Sequence, residues 1–193
     1  MKRKLYTNLS VSVLSNIIIL VLSLVIPRLF LLQYGSDTNG LLTTLSQIFS
    51  YIALLEAGIS QATLVQLYAP LKSENREQIS EIMSISRCYY RKVTVLYATL
   101  VVILAFIVPI IINSELKYWT IFLCVIFEGA AGVINFYFFS TQTILLNADG
   151  KGYVNELTNL AGKTGSYVVK IVLALTGVSI VLIQFGAFAI SLF

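Results

Sequence analysis

Apolar residues occur in long blocks separated by short polar breaks, and the breaks carry turn chemistry. Residues 9–32 form the first block, about 24 residues or about 36 Å as a helix, enough to cross a hydrocarbon core of about 30 Å. Gln33 to Asn39 (QYGSDTN) supplies Gly, Ser, Asp and Asn together and predicts a tight turn. A second helix is predicted over about 40–68, stopping at Ala69-Pro70. Residues 70–92 are the most charged stretch, and Ile79, Ile82, Met83 and Ile85 recur there near helical spacing. This predicts an amphipathic helix over about 77–92, lying at a membrane surface. Further apolar helices are predicted over about 93–112, 118–146, 154–176 and 178–193, divided by turns at 113–117, 147–153 and Thr176-Gly177. The expected fold is therefore an all-α integral membrane protein. It is a bundle of about six transmembrane helices forming one lobe over residues 1–193.

Composition agrees. The chain is 58% hydrophobic and 11% charged, against about 25% charged in soluble domains. The basic head at Lys2, Arg3 and Lys4 precedes an apolar block too long for a signal-peptide core of about 7–15 residues, so it is read as an uncleaved first helix. There is no histidine, and the two cysteines, Cys88 and Cys124, lie in unlike surroundings. That predicts free thiols and no metal site. Glu74, Glu77 and Glu81 interleave with the basic residues of 70–92 and argue against a nucleic-acid surface.

The few polar residues inside the apolar blocks are the candidates for function, because an ionisable group in hydrocarbon costs about 2.5–3.5 kcal/mol on insertion scales. Glu56 stands midway along the second helix, before Ala57-Gly58. Glu128, Gly132 and Asn135 share one face of the fourth, where glycines permit close helix approach. In the fifth, Glu156, Asn159, Lys163, Ser166 and Lys170 form a continuous polar stripe. Two readings of Lys163 and Lys170 stand side by side: a water- or anion-facing role, or snorkelling and pairing with Glu56 or Glu128. Ser12, Asn16, Ser23 and Pro27 fall on one face of the first helix, which is expected to turn away from lipid, with Pro27 loosening its outer end.

The remaining basic residues set the orientation. With the N-terminus inside, the inner segments hold Lys2, Arg3, Lys4, Lys72, Arg76, Arg87, Arg91, Lys92 and Lys151. The outer side holds Lys117 and, near the end of helix one, Arg28, a clear positive-inside bias. Walker, dinucleotide, HExxH and nucleophile-elbow motifs are absent, which excludes a self-contained ATPase and leaves no enzyme signature or cofactor motif. Carboxylates on two helices with a basic stripe on a third suit a carrier coupling an ion gradient to movement of a phosphate-bearing lipid.

Several short runs carry a family resemblance: Asn8-Leu9-Ser10, Ile26-Pro27-Arg28-Leu29, Tyr34-Gly35 with Asn39-Gly40-Leu41, and Tyr51-Ile52-Ala53-Leu54-Leu55-Glu56-Ala57-Gly58-Ile59. Together with the charged segment before helix three, they make the chain resemble the polysaccharide (O-antigen, Wzx-like) flippases of the multidrug/oligosaccharidyl-lipid/polysaccharide exporter superfamily. The resemblance implies a MATE-like N-terminal lobe in the cytoplasmic membrane. It implies movement of undecaprenyl-diphosphate-linked sugar units by alternating access, in company with a C-terminal lobe, a polymerase or glycosyltransferases. By analogy, Arg28, Asn159, Lys163, Ser166 and Lys170 would contact the lipid-linked oligosaccharide, and Glu56, Glu128 and Asn135 would serve ion coupling. The chain is expected to stop near the end of the first lobe. A drug exporter of the same superfamily and a non-transporting scaffold for polysaccharide assembly are the competing readings; the basic stripe counts against the drug exporter.

Overall fold

The structure is a computed structural model that describes residues 2–112, 114 and 116–191, leaving aside the side chains of residues 2–7, 55 and 57. Lys2, Arg3 and Lys4 as side chains, Asn113 and Glu115 of the expected outer turn, and residues 192–193 of the sixth run thus lie outside what is described. Among the described residues all regular structure is helical. The elements are α1 (Lys2–Lys72), α2 (Arg76–Ile111), α3 (Tyr118–Ile134), a π-helical turn (Asn135–Phe139), α4 (Ser140–Ala148), α5 (Gly152–Leu175) and α6 (Ile180–Ile190). Among the described residues three stretches are long and apolar enough to cross a membrane: Asn8–Leu54, Arg76–Ile111 and Tyr118–Ala148.

α1 is two limbs, 2–34 and 36–72, joined at Gly35, whose φ of 81° and ψ of 176° belong to a region open essentially to glycine. The chain reverses there. The Tyr34 hydroxyl donates to the Val178 carbonyl at 2.6 Å, and Ser114 donates to Asp37. Asn8 and Leu67 both lie at the opposite end, beside the 147–153 turn and Ile144. The expected loop over 33–39 is thus corrected to a single residue: Ser36 to Asn39 are helical, and Thr38 is buried with its hydroxyl bonded to the Tyr34 carbonyl. Polar side chains that satisfy themselves on their own helix do not force a loop.

Two further boundaries differ from expectation. Helix continues through Pro27 and past Pro70 to Lys72, and the chain turns only where Glu74 adopts a φ of 54°. Asn75 then caps α2, accepting from the Gln78 backbone N–H at 3.2 Å. The amphipathic segment and the third apolar run are one helix, because Met83, Ser86, Tyr90, Val93, Thr94, Tyr97 and Val101 keep one buried face across the expected joint at 92–93.

The main core joins Phe30, Leu41, Leu45 and Phe49 of α1 to Tyr97, Val101 and Ala105 of α2, Ile121, Cys124 and Val125 of α3, and Ile180 and Ile183 of α6. A smaller cluster, Leu67, Met83, Tyr90 and Ile144, closes the other end. Close approach of α3 depends on its glycines: a Cβ at Gly129 would meet Val101 and Phe49, and one at Gly132 would meet the Tyr97 ring. The outside is crowded with exposed apolar side chains, among them Leu20, Leu24, Leu32, Ile110, Ile111 and Trp119.

The polar face expected to turn inward on the first limb does not. Asn16, Ser23 and Pro27 are exposed and Ser12 is half-buried, while Ser15 and Phe30 take the buried positions. Asn16 donates to the Ser12 carbonyl at 2.9 Å and Ser23 to the Leu20 carbonyl at 2.8 Å. Their hydrogen bonds are met locally, so burial brings no further gain.

Candidate functional site

Glu56 and Glu128, the two candidate carboxylates, sit in separate places. Glu56, half-buried on the second limb of α1, accepts a hydrogen bond from the Tyr90 hydroxyl at 3.0 Å. Tyr90 is turned inward by the periodicity of α2 and is 1% exposed.

Glu128 of α3 is likewise half-buried, on the helix that gives Cys124 and Val125 to the main core. Gln184 of α6 donates to its Oε2 at 3.4 Å and is itself 3% exposed. Tyr97 is held by Phe49 at 6.2 Å and edge-on by Phe136 at 4.9 Å, so its position is set by packing on both sides.

Asn135 does not join Glu128. It is exposed at the start of the π-helical turn, and Phe136 is the residue turned into the core. The π-helical turn begins at Asn135, so residues after it leave α-helical spacing and do not continue that face.

The stripe on α5 divides. Asn159 and Lys163 are exposed, Glu156, Ser166 and Lys170 half-buried, and Ser166 donates to the Ala187 carbonyl of α6 at 3.4 Å. Among the described residues, neither lysine forms an ion pair with Glu56 or Glu128. Pairing across the helices is therefore replaced by neutral donors, Tyr90 for one carboxylate and Gln184 for the other. Arg28 is exposed on the first limb of α1. Asn8 bonds the backbone of Gly150 and Tyr153 at one end of α5, and Tyr34 bonds Val178 at the other. This register sets Arg28 at about the level of Val172, close in depth to Lys170.

Outside the apolar segments, Lys151 and Asp149 form an ion pair at 2.6 Å in the exposed α4–α5 turn. Hydrogen bonding to the Asp149 carboxylate, together with its charge, raises the Lys151 amine above its ordinary 10.5.

Sequence reasoning passed over Tyr90 and Gln184, the donors to the two carboxylates. Gln184 had a legible signal, as the one strongly polar side chain in IVLIQFGAFAI. Tyr90 is distinguished from exposed Tyr89 only by phase on the buried face of α2.

Compared with known proteins, the chain matches no family model, no curated protein and no solved structure.

Proposed function

We propose that this chain is a multi-pass protein of the cytoplasmic membrane, crossing it in six helical segments with the N-terminus inside. In this reading it acts as one lobe of an alternating-access carrier that flips undecaprenyl-diphosphate-linked oligosaccharide for polysaccharide assembly. The observation that carries the proposal is the separation of charge inside apolar helices. Both carboxylates are met by neutral donors, and Lys163 and Lys170 are uncommitted to either. Cations kept out of internal pairs are available to an anionic ligand, and a diphosphate presents the charge and acceptor oxygens that such cations bind.

The placement of interfacial residues supports the membrane reading. Trp119 meets Tyr118 and Phe122 edge-on, and Phe122 meets Phe106 at a tilt, near the 112–118 end, an aromatic girdle of the kind found at membrane–water boundaries. Lys72, Arg76, Arg87 and Lys151 gather toward the opposite end, which would be the inner one. The family resemblance supplies the substrate class.

The test is genetic and chemical. K163Q/K170Q expressed at wild-type level should reduce surface polysaccharide roughly a hundredfold or more, the scale expected for losing two charge-assisted hydrogen bonds. Lipid-linked oligosaccharide should accumulate on the inner leaflet. Wild-type polysaccharide in that variant would sink the carrier reading and favour a scaffold.

A further inference from the structure

α2 is longer than a membrane crossing requires. Its 36 residues extend about 54 Å, against a hydrocarbon core of about 30 Å. Counting back from Ile111, about 20 residues fill that core, so its inner edge falls near Lys92. Arg91 and Lys92 then stand at the edge, and Arg87 stands about 8 Å beyond it, in the headgroup layer. All three are exposed, and no carboxylate follows Glu81 in the helix.

Beside these cations lies a groove of about 400 Å³, lined by Cys88, Arg91, Lys92 and Val95. Val95 continues the groove toward the hydrocarbon, the two cations stand at the edge, and Cys88 lies on the headgroup side of them. The residues repeat at i, i+3, i+4 and i+7, one strip of the helix surface. Exposed Tyr89 adds an amphipathic ring at the same level. Cations at the edge and exposed apolar Val95 and Leu96 on the hydrocarbon side match a phospholipid with a net negative headgroup. A free anion would use only the cations.

We propose that Arg87, Arg91 and Lys92, with the Cys88–Val95 groove, bind an anionic phospholipid of the inner leaflet. The choice of leaflet rests on the orientation proposed above; binding itself does not. A second groove nearer the start of α2 shares Arg87 and runs to Arg76, and its Arg76 end provides the internal control. Arg76 stands about 22 Å up the helix from Arg91, beyond the reach of a headgroup seated at the hydrocarbon edge.

The experiment uses purified full-length chain in neutral detergent, with phosphatidylglycerol, phosphatidylcholine or inorganic phosphate added. Native mass spectrometry reads bound lipid, and the maleimide labelling rate of Cys88 reads groove occupancy. Phosphatidylglycerol should be retained and should slow Cys88 labelling. R91Q/K92Q should bind it about thirty-fold more weakly, the ratio expected for losing two cation contacts. R76Q should bind as wild type. Equal retention of phosphatidylcholine would overturn charge recognition, and equal protection by inorganic phosphate would overturn the lipid assignment. Sensitivity to R76Q with indifference to R91Q/K92Q would overturn the placement. Because the readout is in detergent, a reversed membrane orientation would change the leaflet without removing the binding, so the two failures are distinguishable.

Discussion

Tyr90 donates its hydroxyl hydrogen to Oε1 of Glu56 at 3.0 Å, tying the second limb of α1 to α2 beside an apolar cluster. Tyr90→Phe removes the donor and keeps the ring, leaving a half-buried carboxylate short of a partner. An unsatisfied polar group of this kind costs about 1–3 kcal/mol. The expected result is a loss of that size in denaturant unfolding in detergent micelles. Glu56→Gln should make the second substitution cheaper, because a neutral amide loses less than a carboxylate when the donor goes. If Y90F unfolds at the wild-type midpoint in both backgrounds, the bond contributes nothing.

The two glycines of α3 differ from Gly58 in what surrounds them. A methyl group at Gly132 would run into the Tyr97 ring, whereas one at Gly58 meets nothing within 4 Å. Gly132→Ala should therefore destabilise by about 1–3 kcal/mol through overpacking. Gly58→Ala should stabilise by about 0.5–1 kcal/mol, because alanine loses less backbone freedom in a helix. Melting temperatures in one detergent check the pair. The packing account fails if both substitutions move stability in the same direction.

These contrasts show which parts of the molecule were legible in the sequence. Long apolar blocks and their polar breaks gave the helical segments, and Gly35 was inside the predicted turn. Its neighbours were misassigned because Thr38 satisfies its hydroxyl on the preceding turn, which composition does not reveal. Pro70 read as a terminator, yet the helix passes it and ends two residues later at Lys72. Glu56 and Glu128 stood out as isolated carboxylates, but their partners are neutral and come from distant parts of the chain, 34 and 56 residues away. Periodicity places residues on a face and says little about which helix meets that face. For this reason the α5 stripe appeared continuous, although Ser166 is tied to α6 while Asn159 and Lys163 point outward.

The Lys151–Asp149 pair gives a pH dependence with a definite sign. Asp149 raises the Lys151 amine in the folded chain, so the pair contributes below the ordinary pKa near 10.5. The contribution is lost as pH rises through the elevated folded value. Asp149→Asn should lower the melting temperature slightly at pH 8 in low salt. That difference should vanish at strongly alkaline pH and in high salt, since both groups are exposed and screened. A difference that grows with alkalinity would contradict the assignment.

The two native cysteines and the two ends of the bundle together make orientation measurable. Cys88 is exposed on α2 and Cys124 is fully buried in the main core. In a Cys88→Ser background, Lys117→Cys and Ser73→Cys place exposed thiols at opposite ends of α2. A membrane-impermeant maleimide should label K117C in intact cells. It should label S73C only in inverted vesicles, and Cys124 only after denaturation. The basic residues predict this pattern, because Arg76, Arg87, Arg91 and Lys92 share an end with position 73 and would be held on the cytoplasmic side. Labelling of S73C in intact cells with K117C protected would reverse the orientation. Labelling of both thiols from one side would mean that α2 does not cross the membrane.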